Sequence, residues 1–187
     1  MRVGVLASGE GTNLQAILDR VHGRDGIEVV AVGSDKPRAR ALKRARAAGI
    51  AARAFEQSDR HARDAAMADW LAGVGVELVV LAGYMQLLDA AFLARFPRVI
   101  NVHPALLPAF PGIGAVEQAV AHGVKVFGVT VHFVDEGVDT GPVIAQRALE
   151  LPGAADAETV RAALRPIEHD LLCEVVVAIA RGAVRVP

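Results

Sequence analysis

Five short strand-like runs, Arg2–Ala7, Ile27–Gly33, Ala51–Phe55, Glu77–Ala82 and Arg98–His103, all but the third rich in β-branched residues, alternate with four Ala- and Leu-rich stretches, Thr12–Val21, Arg38–Ala48, Asp59–Ala72 and Asp89–Arg95. That rhythm leaves few architectures. Strands separated by helices pair in parallel through crossovers, and such units build a sheet covered by helices on both faces. Ligand sites in this arrangement gather beyond the carboxyl ends of the strands. After His103 the pattern changes to a helix at Gly114–His122, an apolar run Val124–Val134, a turn Asp135–Gly141 and a strand Pro142–Leu149. A short acidic turn between two extended segments predicts an antiparallel pair appended to the parallel sheet. An amphipathic helix over Ala157–Ala180 then returns across the domain, followed by a short tail, Val184–Val186. The expected fold is α/β: a single domain over residues 1–187 with a mostly parallel, Rossmann-like sheet, helices on both faces and an antiparallel strand pair toward the C-terminal part.

Composition narrows the function classes. A chain of 187 residues buries roughly 70% of its unfolded surface and needs no disulfide or metal staple. Its 20 basic and 21 acidic residues leave a formal charge of −1, which argues against the broad basic face that nucleic acid requires. Cys173 is the only cysteine, so one chain can form neither a disulfide nor a cysteine-based zinc site. The apolar stretches, such as Leu78–Ala82 and Val175–Ala180, fall far short of the roughly 18 residues of a membrane span. The N-terminal run is too short and too strand-like for a signal peptide. A cytoplasmic protein without nucleic-acid or membrane partners is expected.

Three segments carry residues suited to chemistry. The first strand ends in Ala7-Ser8-Gly9-Glu10-Gly11-Thr12-Asn13-Leu14 and enters a helix directly. Two glycines allow a tight turn and close approach of a ligand, and the helix start favours an anion. Leu14 occupies the place of a third glycine and the P-loop lysine is missing, which disfavours a dinucleotide or ATP and leaves a single phosphate. The same residues equally suit a plain βα turn with Thr12 or Asn13 as N-cap. In Asn101-Val102-His103-Pro104, alternation puts Asn101 and His103 on one face at a strand's carboxyl end. An amide beside an imidazole can bind a developing oxyanion and move a proton, although an arbitrary Asn-x-His more often only satisfies loop and strand ends. In His132 to Pro142, Asp139 stands between Val138 and Thr-Gly-Pro and is the acid expected to point inward. Asp135 and Glu136 read as solvated turn chemistry, and His132 as a hydrogen-bonded core histidine. His22, His61 and His122 receive no role.

Ser-Gly-x-Gly-Thr-Asn after strand one, Leu81-Ala82-Gly83-Tyr84-Met85 after strand four, Asn101-x-His103-Pro104-x-Leu106-Leu107-Pro108, and His132-Phe133-Val134 with Asp139-x-Gly141-Pro142 follow one another across most of the chain. In this order they resemble the phosphoribosylglycinamide formyltransferases, within the superfamily that uses 10-formyltetrahydrofolate. Methionyl-tRNA formyltransferases carry a further C-terminal domain and formyltetrahydrofolate hydrolases usually an N-terminal regulatory domain; neither extension is expected here. The resemblance implies that Asn101, His103 and Asp139 are the catalytic trio. It implies that Gly11, Thr12 and Asn13 hold a substrate phosphate, that Glu168 contacts the ribose end, and that Arg60, Met85, Gln86, Leu87 and Leu88 line the folate pocket. Two positions depart from the family: Gln86 stands where many members have Arg, and Pro111-Gly112-Ile113-Gly114 lacks an assisting His found in some. The implied reaction moves the formyl group of 10-formyltetrahydrofolate to the amine of glycinamide ribonucleotide, without a metal, in a monomer or homodimer. The competing expectations are a formyltetrahydrofolate hydrolase and a catalytically silent folate- or nucleotide-binding regulator.

Overall fold

The alternation read from the sequence becomes one seven-stranded sheet in a computed structural model that describes residues 1–153 and 156–184. The elements in chain order are β1 (Arg2–Leu6), α1 (Thr12–Arg20), β2 (Glu28–Ser34), α2 (Arg40–Ala47), β3 (Ala51–Ala54), α3 (Arg60–Gly73), β4 (Leu78–Leu81), α4 (Ala90–Arg95), β5 (Val99–His103), α5 (Ala115–His122), β6 (Val126–Phe133), β7 (Val143–Glu150) and α6 (Ala157–Ala180). Of the expected tail Val184–Val186, residues from 185 onward lie outside the described residues.

The strand order is β3-β2-β1-β4-β5-β6-β7, with the first five parallel. Successive residues of the central strands face opposite ways. Val3, Val5, Leu78 and Val80 pack with Leu14 and Ile17 of α1, Leu42 of α2 and Leu172 and Val176 of α6. Leu6, Val79 and Leu81 pack on the other face with Met67 and Leu71 of α3 and Phe92 of α4. A strand covered on both faces must be apolar throughout, which is why β4 reads Leu-Val-Val-Leu without alternation.

The antiparallel region begins one pairing earlier than the β6–β7 hairpin, because β6 also runs antiparallel to β5. An antiparallel neighbour starts where its partner ends, so the chain does not cross the sheet between them. Residues 104–125, including α5, therefore stay at the carboxyl end of the parallel strands. The loops after β1 and β4 open at that end too. No described helix is long and apolar enough to cross a membrane.

Candidate active site

The sheet reverses its winding between β1 and β4, which are neighbours while their following helices, α1 and α4, lie on opposite faces. Their loops meet there, tied by the Ser8 N–H donating to the Gly83 carbonyl at 3.0 Å. Such a switch point leaves a crevice. Residues 81–88 divide it: Ala82, Gly83 and Met85 line a groove on one side, while Leu81, Tyr84, Gln86, Leu87 and Leu88 line a slot on the other.

The groove, about 530 Å³, is large enough for a small phosphorylated ligand. Gly9 to Asn13 form its floor, where α1 begins immediately after β1. Gly11 is the N-cap at φ 70°, and no side chain caps this helix start. Its first N–H groups therefore keep their positive field for a ligand. Gly11 could not be another residue without displacing α2, since a Cβ there would lie 2.8 Å from the Cα of Ala41. The Ala41 N–H donates to the Gly9 carbonyl and the Arg44 Nε to the Glu10 carbonyl, which fixes the loop from behind. Asn13 is buried; its Nδ2 donates to Glu168 Oε2 at 3.2 Å and its Oδ1 has no partner among the described residues. Burial pushes the Glu168 carboxyl above its ordinary range, against the opposing hydrogen bond from Asn13. Arg161 and Arg165 stand on the groove wall near Glu168. Sequence reading missed both arginines, although their spacing from each other and from Glu168 is that of one helix face.

The slot is closed on its far side by Val134 to Asp139 and at its base by Asn101 and His132. Of the five residues expected in the folate pocket, Gln86, Leu87 and Leu88 are on its wall, Met85 faces the groove, and Arg60 lies behind, its Nη2 donating to the Leu88 carbonyl at 2.6 Å.

Asn101, His103 and Asp139 converge between the two cavities. Asp139 sits at φ 54° in the left-handed region, which an aspartate tolerates better than most side chains. Its Oδ1 accepts from Asn101 Nδ2 at 3.2 Å, its Oδ2 accepts from the Gly112 N–H at 2.7 Å, and His103 Nδ1 lies 3.3 Å from Oδ2. His132 joins them, with Nε2 3.5 Å from Asp139 Oδ1 and 3.3 Å from Asn101 Nδ2. Burial alone would raise the Asp139 carboxyl. Hydrogen bonding from His132 and Gly112 and the charge attraction of His103 and His132 outweigh it and hold the group at about 2. His132 Nδ1 lies 2.7 Å from the Phe133 carbonyl, which makes Nδ1 a donor and turns Nε2 toward both Asp139 and Asn101. His103 Nε2 donates to the Phe110 carbonyl at 2.8 Å, and Phe110 itself adopts φ 55°. His103 is almost fully buried behind Asp139 and is not on either cavity wall. The site thus holds one firmly ionised carboxylate among an amide and two imidazoles, a set able to donate to an oxyanion and relay a proton. Among the described residues, no cluster of three or more His, Cys, Asp or Glu could hold a metal ion.

The formyl transferase family model matches residues 1–176. Phosphoribosylglycinamide formyltransferase of Bacillus subtilis (strain 168) is 43% identical over 173 residues, covering 90% of this chain and 89% of the relative. The enzyme of the same name from Mycobacterium tuberculosis (strain ATCC 25618 / H37Rv) is 43% identical over 189 residues, covering 99% and 87%. The crystal structure of glycinamide ribonucleotide transformylase 1 from Symbiobacterium toebii superposes with a TM-score of 0.93 at 48% identity, over 97% of this chain and 88% of that one.

Proposed function

The chain belongs to the formyl transferase family, and from that premise we propose that it formylates the amine of glycinamide ribonucleotide with N10-formyltetrahydrofolate, a step of purine biosynthesis. The observation that carries the reading is the Asp139 carboxylate, held between Asn101, His103 and His132 where groove and slot adjoin.

Formyl transfer requires a neutral amine to attack the formyl carbon, an oxyanion to be tolerated, and a proton to pass from the attacking to the departing nitrogen. The substrate phosphate sits on Gly11, Thr12 and Asn13, where uncapped N–H groups and Arg165 receive it. Glu168 takes the ribose hydroxyls as an acceptor. The pterin enters the slot beside Leu87 and Leu88, which delivers the formyl group to Asn101. The Asn101 amide bonds of 3.2 and 3.3 Å are long and are exchanged for the stronger bond to an oxyanion. His103, engaged through Nδ1 with Asp139 and through Nε2 with the Phe110 carbonyl, supplies the second donor by exchanging one of these contacts for the oxyanion. Asp139 accepts the amine proton directly or through water.

Tetrahydrofolate release measured with and without glycinamide ribonucleotide tests the assignment. A rate that depends on the ribonucleotide is expected. A rate indifferent to it would make water the acceptor and the protein a hydrolase, and tight binding of both ligands without turnover would make it a regulator. His103→Ala should lower kcat about 100-fold, the usual loss for one such donor.

A further inference from the structure

Every residue from 85 to 89 is pinned from outside its own loop. The Met85 N–H donates to Ser8 Oγ, the Leu87 carbonyl accepts from Arg63, the Leu88 carbonyl from Arg60, and the Asp89 N–H donates to Asp64. Gln86 is held at both ends of its amide: Oε1 accepts from Arg63 Nη1 at 3.1 Å, and Nε2 donates to Asp35 Oδ2 at 3.0 Å. Asp35 in turn accepts from Ser8 Oγ through its other oxygen, at 2.5 Å. Ser8 lies two residues beyond the end of β1, immediately before Gly9 of the groove floor.

Arg63 is buried, and its third nitrogen donates to the fully buried Asp64 at 2.9 Å, so each of its three nitrogens is engaged. The positive charge that an arginine at position 86 would carry to the cavity stands here one layer deeper, facing inward. A neutral side chain with an acceptor at one point and a donor at another is what the gap between a buried guanidinium and a carboxylate requires. Arginine has no acceptor to offer Arg63.

We infer that Gln86 acts as a positioning residue: a two-ended strut between Arg63 and Asp35 that sets the shape of the 84–89 loop for the formyl donor, rather than a direct contact to it. This deepens the functional reading and rests on the slot taking the formyl donor. The strut also makes one hydrogen-bonded chain from α3 to Ser8, joining the wall of the donor slot to the entry of the phosphate loop.

Asp35 lines neither cavity, so it tests the strut without touching a ligand. Gln86→Leu, Asp35→Asn and the double variant would be compared for KM of both substrates, kcat, and 10-formyltetrahydrofolate binding by calorimetry. Each single variant should raise donor KM and Kd about five- to tenfold, the net weight of one typical hydrogen bond. kcat should stay within about threefold, and the double variant should bind no worse than the weaker single one, because one strut is lost only once. Asp35→Asn with wild-type donor affinity, or effects that multiply in the double variant, would overturn the strut. Wild-type protein that binds no 10-formyltetrahydrofolate would overturn the slot's assignment and the strut's role with it.

Discussion

At the scale of single residues, the two carboxylates of the site are displaced in opposite directions, and each displacement predicts a different pH dependence. Asp139 is held at about 2, below its ordinary 3.8, so the folded state favours its ionised form. The resulting stabilisation is complete above the unfolded value and is lost as pH falls toward 2; it amounts to about 2 kcal/mol. Asp139→Asn keeps shape and left-handed tolerance but loses charge. It should lower kcat about 10²- to 10⁴-fold with KM values little changed. It should also be less stable than wild type near neutrality, with the gap closing between about pH 4 and 2, as urea midpoints across pH would show. Equal midpoints throughout would contradict the ionised cluster. Glu168 is raised by burial, so its ionised form costs stability, and that cost sets in as pH rises through the unfolded value toward the folded one. Glu168→Gln retains the acceptor for Asn13 and should be more stable than wild type at neutral pH while raising KM for the ribonucleotide. A neutral-pH melting temperature below wild type would refute it.

At the scale of elements, the site depends on how β5, β6 and the turn after β6 are fitted together. Asn101 lies directly opposite His132 in the β5–β6 pairing, and antiparallel partners share a face. The turn then brings Asp139 back over both. Gly141 makes that return possible, because any Cβ there would collide with the Phe133 carbonyl oxygen. The Phe133 N–H closes the turn by donating to the Pro142 carbonyl at 2.9 Å. Gly141→Ala must displace the backbone two residues from Asp139. We expect a stability loss of about 1–3 kcal/mol, in the range of overpacked sites, and a fall in kcat larger than any rise in either KM. Unchanged kcat in the folded variant would show that the turn tolerates the shift without moving the carboxylate.

For the whole molecule, α6 joins the last quarter of the chain to the first. Leu164, Leu172 and Val176 enter the core shared with α1 and the central strands, and the same helix presents Arg161, Arg165 and Glu168 to the groove. Packing and ligand binding thus share one side of this helix at different turns along it, and should still separate experimentally. Leu172→Ala leaves a cavity in a fully buried position and should cost about 2–5 kcal/mol. Its ribonucleotide KM should match wild type, and saturating ribonucleotide should raise both melting temperatures by similar amounts, since ligand linkage adds about 2.7 kcal/mol at a hundredfold excess over Kd. A variant that melts early and also loses ribonucleotide affinity would show that the core and the groove are not independent.

The order of strands and helices was legible because each element's period and its punctuation by Gly, Pro and acids are local properties of the chain. Asn101 and His103 were legible for the same reason: strand alternation alone puts them on one face at a carboxyl end. Asp139 could be picked out from its rigid neighbours, but the four contacts that hold its charge come from positions 101, 103, 112 and 132, which no local pattern relates. His132 shows the limit most plainly. On a buried apolar strand a histidine looks like a satisfied core residue, and it is one, through the Phe133 carbonyl; its second nitrogen reaches the site only because the β5–β6 register sets it against Asn101. Likewise the run 85–88 reads as one pocket-lining stretch, while the fold splits it, sending Met85 to the groove and binding Gln86 between Arg63 and Asp35. Periodicity settled which elements form and which faces they bury. Register across the antiparallel strands and the meeting of the β1 and β4 loops decided which side chains share a charge, because electrostatic and hydrogen-bond partners are chosen by distance in space, which the sequence encodes only through the completed fold.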